Sequence, residues 1–89
     1  MDESVLFYFS KGSDTRREIV RVVEEKEDEG IYLNKLAEEL DLSHVAVRKH
    51  LELLLENSYL EYINPEGKPK YLELTEKGER VLEDFTQEN

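Results

Sequence analysis

Three groups of residues in this chain have the types and spacing to do chemistry. His44 and His50, with the acidic run from Glu24 to Glu29, are the candidates for holding a metal. Histidines six positions apart do not share one side of a helix, and an acidic run that follows an apolar-periodic stretch reads as a solvated helix end. No metal and no cofactor are expected. The second group would be a nucleophile with its base. The chain has no Cys, which excludes a thiolate, a disulfide and a Cys-based zinc site. It also has no Gly-rich phosphate loop and no nucleophile-base pair, so an enzyme is not expected. The third group is a set of hydrogen-bond donors: Ser43, His44, Arg48 and Lys49 close together, with Lys35, Arg16, Arg17, Lys68 and Lys70 elsewhere. An arginine fork pairs bidentately with guanine, and lysine or serine holds a base edge or a phosphate.

These donors need rigid elements to carry them. Ser13 followed by polar and acidic residues is a helix start, and Ile19, Val20, Val22 and Val23 recur at helical spacing up to a stop at Gly30. Ile31-Tyr32-Leu33 reads as a short extended piece. Asn34 would cap a second helix ending at Leu40, and Asp41-Leu42 a turn, since Asp tolerates left-handed backbone angles. Ser43 would cap a third helix reaching about Asn57. Its inner stripe is Val47, Leu51 and Leu54, which leaves Ser43, His44, Arg48, Lys49 and Glu52 on the outer side. Residues 59–63 and 70–74 read as strands around the turn-rich 64–69, forming a hairpin. A last helix opens at Thr75 and carries Val81, Leu82 and Phe85, and 86–89 is expected to be a loose tail. The expected organisation is an N-terminal packing or dimerisation segment over 1–12 and one domain over 13–85.

Length and charge bound the function. At 89 residues there is room for one thin core and none for a cleft between two lobes. No apolar run approaches the roughly 18–20 residues of a membrane span, and the apolar Val5–Phe9 follows Asp2 and Glu3 rather than a basic start. A soluble cytoplasmic domain that does not act at a membrane is expected. With 22 Asp+Glu against 12 Lys+Arg, the net charge of -10 opposes non-specific binding to phosphate or anionic lipid. A local cationic stripe still acts, because charges beyond about 8–10 Å are largely screened at moderate salt. From Leu33 to Asn57, Lys35, Arg48 and Lys49 stand against Glu38, Glu39, Asp41, Glu52 and Glu56. Few phosphate contacts and a modest salt dependence are therefore expected.

The order helix, helix, turn, helix, hairpin, helix is that of a winged helix: mainly α with a small β-sheet, a three-helix core, a β-hairpin wing and a C-terminal helix. The segment Leu36-Ala37-Glu38-Glu39-Leu40-Asp41-Leu42-Ser43-His44-Val45-Ala46-Val47-Arg48-Lys49-His50-Leu51 closely resembles the helix-turn-helix of ArsR/MarR-like winged-helix transcriptional regulators. Lys11-Gly12-Ser13-Asp14-Thr15-Arg16-Arg17 is similar to the start of the first helix in archaeal members, and Leu74-Thr75-Glu76-Lys77-Gly78 to the junction from wing to last helix. The resemblance covers about residues 11 to 85. It implies a sequence-specific, usually dimeric regulator of double-stranded DNA. By position it implies that Ser43, His44, Val45, Arg48 and Lys49 face the major groove and that Lys35 touches phosphate. It further implies backbone contacts from Arg16 and Arg17, and backbone or minor-groove contacts from Lys68 and Lys70 on the wing.

Four positions depart from the family pattern. Asp41 and Ser58 stand where Gly is usual, and Leu53 and Leu55 where polar residues are common. Leu53-Leu54-Leu55 points three ways around one helix, so one of them is expected to meet the Val5–Phe9 segment or a second chain. A homodimer interface is accordingly expected from Val5, Leu6, Phe7, Phe9, Leu53, Leu55 and Phe85. The same extra leucines and the acidic charge leave open an alternative, an acidic winged-helix module that binds a protein partner without touching DNA.

Overall fold

The structure, a computed structural model, describes residues 1–87. The elements run α1 (Glu3–Phe7), α2 (Ser13–Lys26), α3 (Leu33–Leu40), α4 (His44–Glu56), β1 (Leu60–Tyr62), β2 (Leu72–Leu74) and α5 (Glu76–Gln87). The apolar positions of each helix turn to one shared core. Ile19, Val20 and Val23 of α2, Leu36 of α3, Val47 and Leu54 of α4, and Val81 and Phe85 of α5 are essentially fully buried, with Leu60 and Leu72 from the hairpin. No helix among the described residues is long and apolar enough to cross a membrane.

The Val5–Phe9 run is where sequence and structure part first. It contributes a short helix, α1, capped by Asp2, whose side chain accepts from the Ser4 amide at 2.8 Å. Leu6 and Phe7 point inward and are fully buried. Phe7 meets Tyr59 edge-on at 4.9 Å between ring centroids and Phe85 at 5.1 Å, so α1 closes the core over α5 and the start of the hairpin. Gly12 then carries φ 88°, and a side chain there would meet the His50 ring at 2.5 Å, so only glycine fits this entry to α2.

Two caps differ from expectation. Ser13 is the first residue of α2 and not its cap; its hydroxyl hydrogen-bonds to the Ser10 backbone instead. Helix α3 begins at Leu33 after an extended Tyr32, so Asn34 lies inside it. The last helix continues through Gln87, so the tail expected from residue 86 is helical at 86 and 87. Residues 88 and 89 lie outside the described residues.

The sheet is a two-stranded antiparallel hairpin with Leu60 opposite Leu74, Glu61 opposite Glu73 and Tyr62 opposite Leu72. Leu72 and Leu74 face the core, as the alternating pattern predicts. The extended Ile31 adds a single bond to the outer edge of β2, Leu72 N to Ile31 O at 2.9 Å, which ties the entry to α3 to the base of the hairpin.

Candidate nucleic-acid interface

The angle between α3 and α4 is set by a short turn. Asp41 adopts the left-handed conformation, φ 54° and ψ 47°, and the Leu42 amide reaches back to Ala37 O at 3.0 Å, closing the end of α3. Ser43 then caps α4: its Oγ accepts from the Ala46 amide at 3.1 Å. Val47, Leu51 and Leu54 turn into the core, which fixes the rotation of α4 about its axis. His44, Val45, Arg48, Lys49 and Glu52 are consequently exposed.

The side chains of Arg48 and Lys49 make no hydrogen bond and no ion pair with any of the described residues. Neither Glu52 nor Glu56 on the same helix neutralises them by direct contact. Val45 is 66% exposed, an apolar side chain held in water between these cations and the start of the helix. Ser43, though occupied as an acceptor, keeps its hydroxyl proton for donation.

Other cations flank this stripe. Lys35 is exposed at the start of α3, with its ammonium 5.6 Å from the Tyr32 ring centroid. Lys68 and Lys70 are exposed on the hairpin loop, and Lys70 lies 5.4 Å from the Tyr62 ring centroid. Between α4 and the hairpin runs an open cleft of about 360 Å³, lined by Tyr32, Asn34, Arg48, Glu52, Leu55, Tyr62 and Lys70 among others. Arg48 and Lys70 therefore border one groove from opposite sides.

A family model described as a helix-turn-helix domain matches residues 12–61, which span α2, α3, α4 and the first residues of the hairpin. The chain belongs to the helix-turn-helix domain family.

Solved structures extend this helix-turn-helix domain to a winged helix. MepR from S. aureus, solved as a DNA complex, superposes with a TM-score of 0.74 at 20% identity, covering 83% of this chain and 54% of its own. FabT from Streptococcus pneumoniae, also solved in complex with DNA, gives 0.74 at 20% identity, covering 96% of this chain and 61% of its own. The transcriptional regulator SlyA gives 0.74 at 22% identity, covering 89% and 56%. The likeness is to winged-helix regulators of the MarR family and shows the shared fold. The chain spans about half the length of these structures. Among curated proteins none matches it.

Five sequence-predicted contacts of this helix-turn-helix domain are corrected by its packing. Arg16 is only 3% exposed. Its Nε donates to Leu6 O at 2.7 Å and its Nη2 to Ser10 Oγ and Lys11 O, so it holds α1 and the following loop and cannot reach a DNA backbone. Arg17 is half-buried, donating to Phe7 O and pairing with Asp14 while its guanidinium lies 5.5 Å from the Tyr8 ring centroid. The carbonyls at the end of α1 need donors, and these two arginines supply them. Leu6, Phe7 and Phe85 are not at a surface where a second chain could bind; they fill this chain's own core. Leu53 and Leu55 are half-buried and pack against the same core, which removes much of the apolar surface behind the protein-module alternative. Val5 and Phe9 do stay exposed, at 37% and 79%.

Sequence reasoning missed the pairing of Arg16 with His50. Arg16 Nη1 stands 3.1 Å from His50 Nδ1. A guanidinium can only donate, so Nδ1 accepts and the neutral ring carries its proton on Nε2. Burial pushes the His50 imidazolium below its ordinary range, and the Arg16 charge acts in the same direction. The spacing of Gly12 from Arg16 carries no signal for this contact, which depends on how α2 crosses α4.

Proposed function

We propose that this chain is a sequence-specific double-stranded DNA-binding transcriptional regulator of the ArsR/MarR-like, archaeal type, working in the cytoplasm as a homodimer. In this reading α4 enters the major groove, with Ser43, His44, Val45, Arg48 and Lys49 toward base edges and phosphates. Lys35 holds a phosphate from α3, and Lys68 and Lys70 touch backbone or minor groove from the wing. The observation that carries it is the exposed stripe of Arg48 and Lys49, free of ionic partners among the described residues, on a helix whose opposite face is locked into the core. The DNA complexes of MepR and FabT, which share the fold, support the docking mode. Val5 and Phe9 remain for contact with a second copy.

Arg48, Lys49, Lys35, Lys68 and Lys70 cap the number of phosphates one protomer can neutralise, so the salt slope of binding is at most about -4.5 per protomer. The deciding experiment is selection of bound duplexes from a random pool at low and moderate salt. Enrichment of a palindrome establishes sequence reading and two-fold symmetry together. Failure to enrich any sequence, or an unchanged affinity on replacing Arg48 and Lys49 by Ala, overturns the reading. Sedimentation at tens of micromolar, within the range of ordinary association strengths, tests the dimer.

A further inference from the structure

The hairpin loop carries two of the proposed DNA-contacting lysines, and a loop of this length between short strands has little to hold it in shape. In this chain one side chain spans it. Asn64 Oδ1 accepts from the Tyr71 amide at 2.7 Å, and Asn64 Nδ2 donates to Pro69 O at 3.0 Å. Its own carbonyl accepts from the Gly67 amide at 2.8 Å. The two limbs of the loop are thus joined through a single amide, whose orientation both partners dictate: Tyr71 offers a donor and Pro69 an acceptor. Gly67 is folded so closely over it that a side chain there would collide with Asn64 Nδ2. Just below, Ile63 N bonds to Tyr71 O at 2.9 Å, so the clamp continues the strand ladder to the tip. Lys68 and Lys70 lie inside the segment that Asn64 closes.

We propose that Asn64 is a positioning residue for DNA binding: through its amide clamp on Pro69 and Tyr71 it holds Lys68 and Lys70 at a fixed place beside α4. The claim rests on the DNA-binding reading above. Its physical content is preorganisation. A loop already ordered in the free protein loses less conformational freedom when its lysines meet phosphate, so the same contacts yield tighter binding. Loosening the clamp leaves the charges present but spread over many positions.

The test is a thermodynamic cycle on four proteins: the parent chain, N64A, K68A/K70A, and the variant combining all three substitutions. The probe is a labelled duplex recovered from the random-pool selection. N64A is expected to weaken binding about three- to tenfold, the range of one to two modest hydrogen bonds. It is expected to have under about twofold effect once both lysines are gone, which is the coupling such a cycle isolates. The salt slope of N64A should fall toward that of K68A/K70A. An equal loss in both backgrounds overturns the proposal, because Asn64 would then act on DNA itself or on the fold at large. Backbone relaxation of the free protein provides the independent readout: residues 66–70 should be as ordered as β1 and β2 in the parent chain and mobile in N64A. A loop that is mobile in both overturns the proposal even if N64A binds weakly. Failure of the parent chain to bind any duplex strikes the DNA-binding reading itself, and is told apart from failure of the Asn64 claim by that first titration.

Discussion

Arg16 on α2 and His50 on α4 meet at 3.1 Å, and the same guanidinium holds Leu6 O of α1 at 2.7 Å, so one buried side chain joins three helices. Among the described residues none of the partners of Arg16 is a carboxylate: they are two carbonyls, a hydroxyl and an imidazole. The contact survives only while His50 is neutral. An unfolded chain takes up a proton on His50 near pH 6.5, whereas burial and the Arg16 charge make the folded chain resist it. Below about pH 6.5 the unfolded state therefore binds more protons, and stability is lost as pH falls through the depressed folded value. Above about pH 6.5 the contribution is fully present. His50→Asn keeps an acceptor for Arg16 and cannot titrate. Its urea-unfolding free energy should fall less steeply than that of the parent chain between about pH 7 and pH 5. Parallel curves for the two proteins would contradict the account.

Arg16 and Arg48 have the same side chain and opposite fates, and this separates stability from recognition. Removing Arg16 leaves Leu6 O, Ser10 Oγ and His50 Nδ1 without their donor inside a buried corner. Arg16→Ala is expected to cost about 2–4 kcal/mol of folding stability. Arg48 touches nothing among the described residues that would miss it, so Arg48→Ala should stay within about 0.5 kcal/mol of the parent. Thermal unfolding of the two variants, compared with their duplex affinities, should show a large loss of midpoint for the first. For the second it should show a large loss of binding at an unchanged midpoint.

What the sequence made legible was chemistry that acts over a few residues. Ser43 as a cap, Asp41 as a left-handed turn, and Leu72 with Leu74 on one face follow from local backbone needs and from period, and α4 emerged with its outer stripe correctly turned. Ser58, where the family pattern has Gly, takes the left-handed conformation with φ 65°, so the backbone demand persists although the residue differs. What stayed hidden depends on the crossing of distant segments. Arg16 and Arg17 look like free cations beside Asp14 and Glu18, because the carbonyls they serve belong to α1, ten residues away. Val5–Phe9 is too short and too uniformly apolar to show a helical period, so its division into buried Leu6 and Phe7 and exposed Val5 and Phe9 had no local signature. Asn64 reads simply as a turn residue until the returning limb of the loop is in place.

Glu61 and Glu73 stand directly opposite each other across the hairpin. A hydrogen bond shared with Glu61 raises the Glu73 carboxyl above its ordinary range, and burial with the charges of Glu61 and Glu27 acts in the same sense. At neutral pH the pair is a like-charge contact that weakens the wing. Glu61→Lys replaces repulsion with attraction and should stabilise the fold by about 0.5–1 kcal/mol. The gain should shrink with added salt and disappear at acid pH, where Glu73 takes up a proton and neither repels Glu61 in the parent nor attracts the introduced lysine. Chemical unfolding at two salt concentrations and two pH values checks this. A gain that is insensitive to both would mean that the introduced side chain packs better rather than pairing.

Asp41 places a carboxylate in the turn between α3 and α4, a few residues from the stripe that must approach phosphate. The turn requires a left-handed residue, and Asn tolerates that conformation at least as well as Asp. Asp41→Asn therefore removes the charge without disturbing the backbone, and folding stability should change by less than about 0.5 kcal/mol. Within a Debye length of the duplex, one less repulsive charge per protomer should tighten binding about two- to fivefold at low salt, with the advantage fading as salt rises. The gain should be similar for selected and unrelated duplexes, because the carboxylate repels phosphate and reads no base. Titration of both duplexes at two salt concentrations separates the outcomes. An affinity gain confined to the selected sequence would place Asp41 in base recognition. No gain on either duplex would mean that the turn faces away from DNA, and the docking of α4 described above would have to be rotated.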